Sequence, residues 1–305
     1  MFKTLAAGEI ILALALWTAA LAGLVQGREP FVNLFYHFAW WPYLLFLDGV
    51  LLYRQGESWL LFRTREFLRL AFLSVTAWLV FEACNLSLHN WRYMGLWPRW
   101  WMRWPAYALA FATVLPGIFL TSQVLQSLGL GREAQGSPRN LGRWQPWSLM
   151  AGAVLLVLPL ICPTYAFPLV WLALIFLLDP FCDLMGGESL IVRGTRGERR
   201  ELLCLAAAGL VCGLWWEMWN YPAGGKWIYT LPVLNSWRVF EMPLLGYLGF
   251  IPFALECRVI YNFFNVLEPR VFQTRTGRGY YYLAHLIFWL LMFAAIDHWT
   301  VISFK

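Results

Sequence analysis

Long apolar runs leave this chain few ways to fold. In hydrocarbon every backbone N–H and C=O must find a partner within the protein, so only helices and closed barrels can span a bilayer. The runs here are mostly of helix-spanning length, near 20 residues, and lack the ten-residue alternation of a barrel strand. We read an all-α integral membrane protein with about nine transmembrane helices. The spans are roughly 5–26, 36–53, 67–86, 106–127, 147–161, 166–182, 202–219, 243–264 and 281–301. The fifth and sixth are short and are separated by Pro159, Pro163 and Pro168, as in a tight hairpin or a broken pair. Composition agrees: 13% of residues are charged, against roughly 25% in soluble domains.

Basic residues give an orientation. Sixteen of the 23 Lys and Arg, from Lys3 and Arg54 through Arg139 and Arg199 to Arg275, fall in alternate loops with the N-terminus. Cytoplasmic loops carry such an excess, which predicts the N-terminus inside, the C-terminus outside and residence in a cytoplasmic (inner) membrane. Glu9 within the first span argues against a cleaved signal peptide there. The net charge of +6 then marks loops and asks for no nucleic acid. Many of the 20 Trp sit at span ends, where interfacial aromatics lie. The run Trp97-Pro-Arg-Trp-Trp-Met-Arg-Trp104 reads as an interfacial anchor lying flat on the outer face.

The chain also repeats itself. Asp48, Gly56, Glu57, Ser58, Thr64 and Arg65 recur 131 residues later as Asp179, Gly187, Glu188, Ser189, Thr195 and Arg196. Leu79, Glu82 and Asn85 recur at an offset of 135 as Leu214, Glu217 and Asn220. Trp91, Tyr93, Trp101, Leu109 and Pro116 recur at 136 as Trp227, Tyr229, Trp237, Leu245 and Pro252. The offset drifts only in loops, as expected of an internal duplication over about 42–125 and 173–261. Four spans per unit is an even number, so the two units are oriented in parallel. The expected layout is a first four-helix repeat at 1–128, a polar Gly/Ser/Pro linker at 129–146, a second repeat at 147–265, and a loop with an additional C-terminal helix at 266–305.

Each repeat ends its third span with Glu-x-x-Asn, one carboxylate and one amide on the same helix face. Carboxylates at the edge of hydrocarbon need partners or a function. We take Glu217 and Asn220, with Glu82 and Asn85 assisting, as candidate catalytic residues: Glu217 as acid/base, Asn220 orienting it. Trp215, Trp216, Trp219, Trp227, Tyr229, Trp91 and Tyr93 are the candidate walls of a binding site. Glu241, Glu256 and His298 are further polar groups expected at it, with Asp297 and His298 placed beside Glu217. Glu256 has no acidic counterpart in the first copy, where Leu120 aligns, which favours the second copy for activity. The competing role for each Glu is a lock that receives Trp N–H or backbone groups and ties helices together.

The Gly-Glu-Ser…Thr-Arg segment after Asp48 and Asp179 reads as a helix end with Arg65 or Arg196 pairing the acid. Pro116 and Pro252 are expected to kink their spans. The six Cys lie in or beside apolar segments and form no C-x-x-C pair, consistent with small buried hydrophobes. No H-x-x-x-H, P-loop or dinucleotide-binding glycine pattern occurs, so neither metal nor cofactor is expected. Glutamates framed by aromatics are similar, in composition alone, to integral-membrane enzymes that protonate isoprenoid or carotenoid double bonds. Their paired Pro-x-Glu-Glu is absent and no residue carries over. Two functions remain open: an enzyme acting on an apolar lipid or isoprenoid, with membrane lipids as its partners, or a proton- or cation-coupled transporter. A structural subunit is the third. Oligomeric state is not legible.

Overall fold

The structure is a computed structural model that describes residues 2–231 and 237–305. The first half contains α1 (Phe2–Val25), α2 (Phe35–Gln55), α3 (Thr64–Leu88), strand β1 (Trp91–Met94), α4 (Trp100–Phe111) and α5 (Val114–Ser127). Then come α6 (Gln145–Ile161), α7 (Pro163–Ala166), a 3-10 turn at Phe167–Leu169, α8 (Val170–Leu184), α9 (Leu190–Thr195) and α10 (Arg199–Asn220). Strands β2 (Lys226–Tyr229), β3 (Arg238–Val239) and β4 (Met242–Pro243) precede a 3-10 turn at Leu244–Gly249, α11 (Phe250–Val271) and α12 (Arg275–Trp299).

Among the described residues, seven helical segments are long and apolar enough to cross a membrane: Phe2–Val25, Thr64–Leu88, Trp100–Ser127, Pro163–Leu184, Arg199–Asn220, Leu244–Val271 and Arg275–Trp299. The fold is that of a helical, multi-pass membrane protein. The other two expected spans are α6 and α2. At 17 residues, α6 reaches about 25 Å at 1.5 Å per residue, short of a hydrocarbon core of about 30 Å. Helix α2 is long enough, but His37, Asp48 and Arg54 dilute its apolar character.

Helices in lipid associate by close packing rather than by escape from water, so small residues mark their contacts. Ala6, Ala13 and Ala20 of α1 are buried, and Gly49 of α2 lies against Ala6 and Ile10. Gly152 of α6 meets Phe176 and Leu177 of α8, and Gly209 of α10 meets Phe250 and Ala254 of α11. The remainder of α1 shows Ile11, Leu12, Leu14, Leu16 and Leu21 to its surroundings, as a lipid-facing helix should.

Pro116 and Pro252 do not kink helix interiors. Each is the third residue of a helix, α5 and α11, where the missing N–H would have had no intrahelical partner. The break comes just before them. Between α4 and α5, Ser74 of α3 supports it by donating to the Phe111 carbonyl (2.5 Å) and accepting from the Leu115 N–H (2.9 Å).

Asp48 and Asp179 also find partners other than those expected. Asp48 receives the Ser58 hydroxyl (2.5 Å) and the backbone N–H of Trp59 (2.7 Å) and Leu60 (3.4 Å). Asp179 receives the Ser189 hydroxyl (2.6 Å) and the N–H of Leu190 (2.7 Å) and Ile191 (2.9 Å). Arg65 and Arg196 are exposed instead. A loop rich in unpaired N–H groups is what a buried carboxylate can satisfy, and the intervening Gly56 ends α2 in the left-handed conformation at φ 73°.

At the opposite end of the bundle, β1 and β2 pair antiparallel, Trp91 opposite Tyr229 and Tyr93 opposite Trp227. The C-terminal residues add a third line to this ribbon. Tyr93 N–H donates to Thr300 O (2.9 Å), Ile302 N–H to Tyr93 O (2.8 Å) and Lys305 N–H to Leu96 O (2.8 Å). Lys305 pairs with Glu29 and Asn33 Nδ2 donates to Gly95 O (2.6 Å), which ties the ribbon to the α1–α2 loop. The N-terminus lies at the other end, where Phe2 packs on Phe62 (5.7 Å between ring centroids).

Candidate functional site

Strand side chains alternate, so Trp91, Tyr93, Trp227 and Tyr229 all project from one face of the ribbon, toward the helices. Their polar tips meet the two glutamates. Glu82 Oε1 accepts from Trp78 Nε1 (2.8 Å), Trp91 Nε1 (3.0 Å) and the Tyr93 hydroxyl (2.5 Å). Glu217 Oε1 accepts from the Tyr229 hydroxyl (2.7 Å), with the Trp227 indole also turned to the carboxyl group. Burial and the adjacent carboxyl group push both tyrosine hydroxyls well above their ordinary range, so they stay protonated and donate.

The amides act on the ribbon backbone rather than on the glutamates. Asn85 donates to Trp91 O (2.9 Å) and accepts from Trp91 N–H (3.2 Å) and Asn90 N–H (2.8 Å). Asn220 donates to Trp227 O (2.9 Å) and accepts from Trp227 N–H (3.0 Å). The three-residue spacing therefore sets a carboxylate under the side-chain tips of the ribbon and an amide under its first peptide. The hydrogen bonds of the Asn220 side chain go to Trp227 and not to Glu217, whose partner is the Tyr229 hydroxyl.

Beneath the ribbon lies a cavity of about 170 Å³ whose walls come from both halves of the chain. The first half contributes Trp78, Trp91, Tyr93 and Phe111; the second contributes Trp171, Trp216, Trp227, Tyr229 and Phe253. Glu217 lines it, with Oε2 buried and lacking a hydrogen-bond partner among the described residues. Glu82 does not line it, because Trp91 and Tyr93 stand between.

The other expected site residues are scattered. Trp215 and Trp219 stack on each other at 5.4 Å and turn toward α1 and α2, where Trp219 meets Trp17, Trp40 and Tyr43. One helical step rotates by 100°, so only Trp216 of the three faces the cavity. Glu241 pairs with Lys226 at 2.9 Å. Glu256 is fully buried and accepts from Leu174 N–H (2.8 Å), joining α11 to α8.

His298 is exposed, at the far end of α12. Asp297 is not beside Glu217. It is held by Arg103 at 2.7 and 2.5 Å, by Trp104 Nε1 (2.8 Å) and by the Tyr107 hydroxyl (3.0 Å). This cluster ties the Trp97–Trp104 run to the fold through Arg103 and Trp104: Trp100 to Trp104 begin α4, and Arg103 is buried while Trp100 and Trp101 stay exposed.

Sequence reasoning passed over Asn90, Tyr36, Trp171 and Phe253, all of which line the cavity. Asn90 directly precedes β1, and its place as a polar residue between a helix and an alternating Trp-x-Tyr strand is the signal that could have found it. The others look like ordinary core aromatics until helices are packed. Among the described residues no group of three or more His, Cys, Asp or Glu side chains is placed to share a metal ion.

The chain matches no protein-family model, no curated protein and no solved structure.

Proposed function

We propose that the protein is a multi-pass membrane enzyme that takes an apolar lipid or isoprenoid chain into the aromatic cavity and acts on it by acid/base chemistry at Glu217. One observation carries this: a buried carboxylate oxygen with no hydrogen-bond partner among the described residues lines a cavity whose walls are rich in Trp, Tyr and Phe. Such walls suit an apolar chain and stabilise positive charge developing on it. A fixed carboxyl group at the wall can exchange a proton with the chain's reacting carbon or heteroatom. Tyr229 orients it and, through its hydroxyl, links it to the ribbon.

In this reading Glu82 is the lock and Glu217 the working group, two fates of one duplicated motif. The tandem layout of two parallel four-helix repeats, 1–128 and 147–265, with a linker and an added C-terminal helix, belongs to the same proposal. Its support is the paired set of contacts at Asp48 and Asp179, at Asn85 and Asn220, and at Glu82 and Glu217. So does a cytoplasmic-membrane location with the N-terminus inside and the ribbon outside, supported by the distribution of Lys and Arg. A carrier has less behind it. Glu256, buried within α11, binds the α8 backbone and does not line the cavity.

The test is Glu217→Gln, which keeps the shape and removes the ionisable group. We expect the variant to fold as wild type and the extracted membrane lipids to change, with an apolar substrate accumulating. An unchanged lipid profile from a normally folded variant sinks the enzyme reading.

A further inference from the structure

The cavity carries more information than its apolar walls. Three polar atoms buried at its side chains lack partners among the described residues: Glu217 Oε2, His37 Nδ1 and Asn90 Oδ1. His37 Nε2 lies 2.8 Å from the Ala106 carbonyl, which can only accept, so Nε2 carries the proton. In the neutral imidazole that makes Nδ1 an acceptor. The Asn90 backbone is used on both sides, its N–H by Asn85 (2.8 Å) and its carbonyl by Thr230 N–H (2.9 Å), which leaves the side chain for the cavity. The two cationic side chains lining the cavity are already neutralised: Arg103 by Asp297 at 2.5 Å and Lys226 by Glu241 at 2.9 Å.

The geometry points to a ligand whose polar end donates hydrogen bonds, a hydroxyl or an amine on an apolar tail, and not a phosphate or carboxylate. This rests on the proposal that the cavity takes an apolar chain. A buried acceptor left unpaired costs about 1–3 kcal/mol, so a donating head gains what an ether or ester head forfeits. An anionic head would face the Glu217 carboxyl group and two cations already paired, and the energy of drawing it out of water would go uncompensated.

The experiment uses the full-length protein in lipid nanodiscs and radiolabelled farnesol, with unlabelled farnesyl methyl ether, farnesyl phosphate and dodecylamine as competitors. Farnesol should bind saturably, with the ether and the phosphate each at least about tenfold weaker, the loss of one buried hydrogen bond. Competition by dodecylamine assigns the amine as a second acceptable head; its failure restricts the head to a hydroxyl. Asn90→Leu should shrink the gap between farnesol and ether while ether binding stays as in wild type, a readout that loss of folding cannot imitate. Equal affinity for alcohol and ether, or a preference for the phosphate, overturns the head-group assignment and leaves the apolar-chain reading standing. Saturable binding of none of the four means a cavity filled by water only, and both readings fall.

Discussion

Glu82 and Glu217 occupy matching positions and differ in what surrounds them. Glu82 takes three donors on one oxygen, so Glu82→Leu strands three buried groups at roughly 1–3 kcal/mol each. We expect a loss of more than about 3 kcal/mol, seen as a marked fall in thermal unfolding temperature in detergent. Glu217→Leu strands chiefly the Tyr229 hydroxyl and should lose about 1–2 kcal/mol. Equal losses would contradict the division of labour between lock and working group.

The tyrosines make a pH prediction. Both hydroxyls titrate higher in the folded protein than in the unfolded chain, where the value is about 10. The folded state therefore holds more protons above that pH. Their stabilisation is complete below pH ~10 and is lost as pH rises beyond it. Unfolding temperatures measured from pH 9 to 11 should fall more steeply for wild type than for the Tyr93→Phe, Tyr229→Phe double variant.

Elements of the fold are held by a few polar devices set at their ends. Asp48 and Asp179 each gather a Ser hydroxyl and two backbone N–H groups at the turn that follows a helix. Asp48→Ala and Asp179→Ala should each lose about 2–4 kcal/mol, because several buried donors are freed at once. Ser58→Ala and Ser189→Ala should lose about 1 kcal/mol each. Parallel losses in the two pairs, measured by chemical or thermal unfolding, are the expected result.

At this scale the sequence was half legible. Recurrence of Asp, Gly, Glu and Ser marked helix ends, and Gly56 does end α2. The partner expected for the acid, Arg65 or Arg196, was wrong because these exposed charged side chains can reach lipid headgroups and water, while loop N–H groups cannot. The ribbon was not foreseen either. Its period-two aromatics, Trp91 and Tyr93 with Trp227 and Tyr229, were noted as a repeat, yet four-residue strands carry too little pattern to stand out beside helices of more than 20 residues.

The whole molecule depends on contacts between its ends. The last residues run beside β1, and α12 is fastened through Asp297 to Arg103 on α4. Removing residues 300–305 should leave the helices intact and loosen the ribbon. We expect faster hydrogen exchange at the Tyr93 and Leu96 amides, whose partners are Thr300 and Ser303, and little change in helix content by circular dichroism. Unaltered exchange would mean that the C-terminal residues do not secure the ribbon.

Long apolar runs and scarce charge determined by themselves that this chain is helical and crosses a membrane, since hydrocarbon permits little else. Spacing along one helix likewise determined that each Glu shares a face with its Asn. Which Glu opens into a cavity was decided only by tertiary structure. Trp78 and Trp91 close over Glu82, while Glu217, with Gly213 at the position matching Trp78, meets walls supplied by α8 and α11. The exchange of Trp78 for Gly213 is a local trace of that difference, but the cavity walls come from separate helices, and residues distant along the chain leave no local trace of how those helices pack.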